Sequence, residues 1–212
     1  MPRTRQIPRV EAADSVLAVY QRLFGERDPV AEPGTATGTR GDWWTVFAQV
    51  PALLDHMVSG FALLSSPERT LPAELRELAL TRTGFAAGSR FVFSQHCKAA
   101  RRAGLNDEQV AAIPSWMVAD VFTPLQRAVL AYTDELVLAD GRVQGATFEV
   151  LRDALGEVAV LELTYAVASY RLHAIMCRAL RLEYDDVDER VSEIAAPEGG
   201  AQDVMGTISM RD

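Results

Sequence analysis

The sequence is poor in cysteine and histidine, the residues that mark redox, metal-binding and disulfide-rich proteins. It has two cysteines, Cys97 and Cys177, and three histidines in 212 residues. No CxxC pair occurs, so neither a zinc knuckle nor a local dithiol motif is available. Three histidines without paired spacing predict no metal site. Two isolated cysteines are typical of a reducing compartment, and we expect a cytoplasmic protein.

Long apolar runs and an excess of positive charge are also missing. No stretch approaches the roughly 20 apolar residues that span a bilayer, and the basic N-terminus lacks the apolar run of a secretory signal. Lys and Arg number 21 against 29 Asp and Glu, a net charge of −8. Nucleic acid binding depends on neutralising phosphates. We therefore expect no nucleic acid partner and no membrane partner.

Helical patterns dominate a composition that is ordinary for a globular protein, with 49% apolar and 24% charged residues. Apolar residues recur at helical spacing, and alternation with period two is scarce. We predict an all-α bundle of about eight helices in a single domain over residues 1–184, followed by a C-terminal arm or flexible tail over 185–212. The predicted helices cover residues 10–24, 42–65 with an interruption at Pro51, 72–87, 89–103, 106–113, 123–138, 146–155 and 157–182.

Capping signals support two of these helices. Asn106 with Gln109, and Thr123 with Gln126, have the spacing of capping boxes. In the helix over 123–138, we interpret Asp134 and Glu135 as part of a solvated or interface face.

His96 is the most informative histidine. In a helix over 89–103 it shares a face with small or apolar residues, while the basic residues of the segment fall on the opposite side. His96 is therefore predicted to point inward. A buried imidazole beside a carboxylate is a group that can be poised to exchange a proton near neutral pH.

The preceding helix supplies a candidate carboxylate, Glu77. Gly84 and Gly88 predict a tight corner that packs the two helices antiparallel, which would bring Glu77 to face His96. The alternative is that Glu77 is a surface acid and His96 a structural core histidine. Periodicity alone does not decide between these interpretations.

A longer segment carries a family resemblance. Residues 74–113, ELRELALTRTGFAAGSRFVFSQHCKAARRAGLNDEQVAAI, resemble the core motif of the alkylhydroperoxidase D-like (AhpD-like) superfamily, which includes the carboxymuconolactone decarboxylases. Residues 122–180 resemble the downstream part of its longer members, so the resemblance covers roughly residues 42–183. It implies an AhpD-like helical bundle and a homo-oligomer, either a trimer or a hexamer.

In the peroxidase branch of this superfamily the motif is a glutamate, a CxxC pair, and a histidine on the helix of that pair. The resemblance assigns the glutamate to Glu77 and the histidine to His96, but the two cysteine positions to Ser89 and Val92. Thiol peroxidation needs a thiolate and a resolving thiol. Cys97 does not replace them, because it lies about 100° round the helix from His96. The resemblance therefore implies the decarboxylase branch.

That branch implies a cofactor-free lyase or isomerase acting on a small carboxylated or dicarbonyl substrate. His96 would be the general acid/base, and Glu77 would orient it. The residues expected to bind substrate are Ser89, Val92, Phe93 and His173. Two alternatives remain open: a peroxidase-related protein with residual thiol activity, and a non-catalytic binding protein on the same fold.

Overall fold

The computed structural model of the chain describes residues 1–187, 189–199 and 208. In this part of the chain, all repeating secondary structure is helical. The α-helices are α1 (Asp14–Phe24), α2 (Asp42–Phe47), α3 (Pro51–Ser65), α4 (Ala73–Ala86), α5 (Arg90–Arg102), α6 (Asp107–Ala112), α7 (Pro124–Leu138) and α8 (Gly145–Leu180), with 3₁₀ turns at Arg9–Glu11 and Ile113–Val118. The predicted all-α fold is confirmed.

Prolines and glycines set most of the helix boundaries. Pro51 is the first residue of α3 and separates it from α2, because proline lacks the N–H that a continuous helix would need there. α8 is interrupted at Gly156, whose φ of 79° and ψ of 163° are open to glycine and strained for other residues. The predicted boundary between the last two helices falls at this residue.

Apart from α1, every predicted helix begins within one residue of its observed start. α1 begins at Asp14 rather than at residue 10, because Arg9–Glu11 form a separate 3₁₀ turn after Pro8. Both predicted capping boxes are present, at the starts of α6 and α7.

The chain forms two compact units. The first contains Met1–Pro67 with the described parts of 177–188 and 194–212, and the second contains Glu68–Met176 and Glu189–Glu193. The division into a domain over 1–184 and an arm over 185–212 stays a prediction. Within that arm, residues 188, 200–207 and 209–212 lie outside the described residues. Among the helices described, none has the length and apolar character needed to cross a bilayer.

In the first unit, α1 and α2 pack against α3. A reciprocal contact between two acidic residues joins the segment after α8 to the start of α2. The carboxylate of Glu183 accepts hydrogen bonds from the backbone N–H groups of Gly41 and Trp43, both at 3.0 Å. The backbone N–H of Glu183 donates in turn to Asp42 at 2.6 Å. Both side chains are buried.

In the second unit, α4 lies between α5 and α7 and contributes to one apolar core with them and α8. α4 and α5 approach most closely at Gly84, where an added Cβ would stand 2.4 Å from the backbone nitrogen of Phe93. Glu77 and His96 meet further from the corner, so the two helices run antiparallel. The glycine corner thereby sets which side chains of α4 and α5 face each other.

Candidate active site

Glu77 of α4 and His96 of α5 form a buried hydrogen bond. The Nδ1 atom of His96 lies 2.8 Å from Oε2 of Glu77. Each residue is 7% exposed, so the pair is largely removed from water but not sealed from it. The sequence interpretation in which Glu77 is a surface acid is therefore wrong.

Arg76 completes this arrangement at the other oxygen of the same carboxylate. Its Nε atom donates to Oε1 of Glu77 at 3.0 Å. Sequence reasoning missed Arg76, because adjacent helical residues normally point to different sides. Its positive charge beside a candidate acid was the one signal available. The Glu77 carboxylate thus lies between a guanidinium and an imidazole.

The charge state of Glu77 fixes the direction of its hydrogen bond with His96. Burial alone would raise the pKa of Glu77, but the His96 hydrogen bond and the charges of His96 and Arg76 together hold that pKa below its ordinary value. An ionised carboxylate only accepts hydrogen bonds, so Nδ1 of His96 is the donor. The Nε2 atom is then a base in the neutral ring and a donor in the protonated ring.

Aromatic rings from α8 and α5 pack beside the pair. The Tyr170 ring meets the His96 ring edge-on, with centroids 4.4 Å apart, and His173 stacks on Tyr170 at 5.6 Å. Phe91 meets His173 at 5.9 Å. Burial raises the pKa of Tyr170, so the phenol keeps its proton. Burial and the nearby His96 lower the pKa of His173 to about 3, so its ring is neutral at neutral pH.

The other three predicted substrate-binding residues make contacts that stabilise the helices. Ser89 caps α5, and its Oγ accepts a hydrogen bond from the backbone N–H of Val92 at 3.1 Å. Val92 is buried, and Phe93 packs against Phe85 in the apolar core. The structure thus groups His173 with His96 through Tyr170, while the substrate-binding roles of all four residues stay predictions.

The two cysteines are buried. Cys97 is 1% exposed in the apolar core, and burial raises its pKa to about 12. Burial also raises the pKa of Cys177. A thiol in such surroundings is a poor nucleophile, because the thiolate is the reactive form. Among the residues described, no three or more His, Cys, Asp or Glu side chains are grouped so that they could hold a metal ion.

The Asp134 side chain is only 17% exposed, so the interpretation of this residue as solvated is wrong. Its carboxylate accepts two hydrogen bonds from Arg82, at 2.6 and 2.9 Å, and one from the indole N–H of Trp116 at 2.9 Å. Arg82 also donates to the carbonyls of Ile113 and Pro114. A buried arginine from α4 needed a charged partner, and this network ties α7 and the second 3₁₀ turn to α4.

Comparison with known proteins identifies the fold, and it identifies a family match for part of the chain. The described helices have the fold of AhpD-like proteins. Residues 51–135 match the model of the carboxymuconolactone decarboxylase family. The resemblance found in the sequence is thus confirmed.

Several solved structures share the fold. A cysteine-to-alanine variant of the debrominase Bmp8, in complex with 2,3,4-tribromopyrrole, is 18% identical and aligns over 86% of this chain and 92% of its own, with a TM-score of 0.66. A peroxidase-related protein with an AhpD core from Ralstonia eutropha JMP134 is 18% identical over 86% and 95%, with a TM-score of 0.64.

A third structure is a protein of unknown function from Agrobacterium tumefaciens, for which a role as the antioxidant defence protein AhpD has been suggested. It is 20% identical over 59% of this chain and 84% of its own, with a TM-score of 0.52. No curated protein matches the chain. At these identities, the likeness to solved structures concerns the fold alone.

Proposed function

We propose that this protein is an enzyme that uses the Glu77–His96 pair to transfer protons on a small carbonyl compound, as a decarboxylase-like lyase or an isomerase. The observation that carries the proposal is the buried 2.8 Å contact between these two residues. A positioned histidine whose second nitrogen faces a reactant is the commonest general acid/base in enzymes. The family of residues 51–135 is named for a decarboxylase, which supports the same reaction class.

The lyase and the isomerase use the same nitrogen of His96. In the lyase, the bond between the carboxylate and its carbon breaks, the electron pair forms an enolate, and CO₂ leaves. The protonated His96 then gives its Nε2 proton to that carbon and recovers a proton from water. In the isomerase, neutral Nε2 removes a proton beside a carbonyl and returns it to another carbon. Neither step calls for a cofactor.

Glu77 acts on this chemistry through His96 and is a positioning residue. Its ionised carboxylate keeps the Nδ1 proton in place, so Nε2 remains the working nitrogen. It also stabilises the positive ring after a proton is taken up. Glu77 and His96 are each only 7% exposed, and burial strengthens this electrostatic effect.

Arg76 supports a substrate that carries a carboxylate. Among the described residues, Glu77 uses only the Nε donor of Arg76. A guanidinium has four more N–H donors in a planar fork that matches a carboxylate. We assign these donors to the acidic group of the substrate, which would be held beside the imidazole.

The test measures turnover of a defined panel by the full-length chain. The panel consists of γ-carboxymuconolactone, a β-keto acid and 2,3,4-tribromopyrrole. NMR in D₂O follows each reaction and detects the loss of CO₂ or the uptake of deuterium. We expect turnover of a carboxylated member, a loss in kcat of about 10²–10⁴ in His96→Gln and Glu77→Gln, and a raised KM in Arg76→Gln. Wild-type rates in His96→Gln, or no turnover of either carboxylated compound, would overturn the proposal.

The same assay tests the two alternative functions, residual thiol activity and non-catalytic binding. Cys97→Ala serves as the matched control. Cys97 directly follows His96 in the sequence, but it is buried and its pKa is about 12. We expect it to keep the wild-type kcat. Peroxide consumption that disappears in Cys97→Ala would favour thiol activity. Binding of panel compounds without turnover, unaffected in His96→Gln, would favour a non-catalytic binding protein.

A further inference from the structure

One face of α8 is apolar although solvent reaches it. Between Val158 and Ile175 the helix has six exposed positions, and all six hold apolar or aromatic side chains. We call them the α8 stripe: Val158, Leu161, Tyr165, Ala168, Leu172 and Ile175. The five large members are between 45% and 69% exposed. A solvent-facing helix surface normally carries polar or charged residues, so this face has no covering partner among the described residues.

The spacing of the α8 stripe fits another helix. Its members follow one another at intervals of three and four residues, which is the a/d pattern of a helix that packs against a second helix. At 1.5 Å per residue, the stripe is about 25 Å long. This is long enough for several turns of continuous side-chain interdigitation.

The charges beside the α8 stripe favour self-association in one orientation. Glu157 is exposed at its N-terminal end, and Arg171, which pairs with Asp140 of its own chain, lies toward its C-terminal end. In an antiparallel pair of identical helices, the acidic end of one copy meets the basic end of the other. A parallel pair would place like charges together. The net charge of −8 also disfavours an anionic membrane as the covering surface.

We propose that the α8 stripe is the interface through which two copies of this chain associate, antiparallel about a two-fold axis. The midpoint of the stripe places the axis between Tyr165 and Ala168. The same surface patch then serves both copies, as in an isologous contact. An assembly built on this contact has an even number of chains, which agrees with a dimer or a hexamer and not with a lone trimer.

The first experiment measures the mass of the full-length chain by sedimentation velocity. We expect an even-numbered wild-type assembly, and half as many chains or fewer per particle in the Leu161→Glu and Leu172→Glu double variant, with an unchanged helical circular dichroism spectrum. The matched control is Met117→Glu with Val118→Glu, because these residues are 65% and 84% exposed outside the stripe. The control should keep the wild-type mass.

The second experiment does not depend on how the charged variant folds. Ala168→Cys should form a disulfide-linked dimer under mild oxidation, since two copies of this position meet near the axis. Val118→Cys should remain monomeric on a denaturing gel. A monomeric wild type, including one that binds lipid vesicles instead, would overturn the proposal. So would an unchanged mass in the double variant, or equal cross-linking at Val118→Cys.

Discussion

Glu77 keeps its charge inside the protein because both of its oxygens have a cationic or proton-donating neighbour. Arg76 occupies one oxygen and His96 the other, and together they outweigh the effect of burial on the Glu77 pKa. Removing either partner would leave a buried charge with less compensation, which is costly. The site therefore depends on three side chains acting as a unit.

Glu183 is a buried carboxyl whose pKa is shifted in the opposite direction to that of Glu77. Burial and the nearby charge of Asp42 raise its pKa, in spite of its two backbone hydrogen bonds. A carboxyl whose pKa is raised on folding stabilises the folded state at low pH. That contribution is lost as pH rises from the ordinary carboxyl pKa, about 4.3, through the raised value.

This gives a prediction for the pH dependence of stability. We expect Glu183→Gln to lose less stability than the wild type when pH rises from about 5 to about 8, since the amide cannot ionise. Urea unfolding at a series of pH values measures the free energy of unfolding of both proteins. Parallel curves for the two proteins would contradict the assignment.

The sequence predicted the Glu77–His96 contact but not everything around it. The contact follows from two helical faces and a short corner, which are local properties. Ser89 was expected to bind substrate because it has a hydroxyl, yet a helix cap uses the same hydroxyl in the same way. Sequence spacing cannot separate these two uses, and it gave no indication that Arg76 folds back onto its neighbour.

Among the helices, the α4–α5 pair carries the site, and Gly84 determines its separation. The backbone of Phe93 leaves no room for a side chain at this position. Backbone atoms cannot turn aside as a flexible side chain can. Any residue larger than glycine must push the two helices apart near the corner.

We therefore expect Gly84→Ala to lower the free energy of unfolding by about 1–3 kcal/mol, the usual cost of overpacking. Turnover should also fall, because the contact between Glu77 and His96 lies along the same pair of helices. Gly145→Ala is the control, since an added Cβ there meets no atom of the described residues within 4 Å. Chemical denaturation measures the free energy of unfolding of the two variants. Equal stability of Gly84→Ala and Gly145→Ala would contradict the close-packing argument.

Helix boundaries that depend on local residues were predictable, and contacts between helices were less so. Pro51 and Gly156 mark their interruptions in the sequence itself. Asp134 was misread because its partner, Arg82, lies on another helix and far away in the sequence. α8 posed a related difficulty, since apolar residues occur on two of its faces and the pattern does not say which face is the core.

For the chain as a whole, the fold does not decide the chemistry. Solved structures that are only 18–20% identical share it, and they include a debrominase and a peroxidase-related protein. Function must therefore be argued from the site. Here the resemblance assigns the two cysteine positions of the peroxidase motif to Ser89 and Val92, while an acid and a histidine remain in contact.

The most direct measurement is the protonation of the His96 ring, observed by ¹⁵N NMR of the full-length chain and assigned through His96→Gln. If Glu77 orients His96 as argued, the neutral ring carries its proton on Nδ1, and Glu77→Gln changes that spectrum. A neutral ring protonated on Nε2, or a spectrum that is the same in Glu77→Gln, would contradict the proposed acid/base pair.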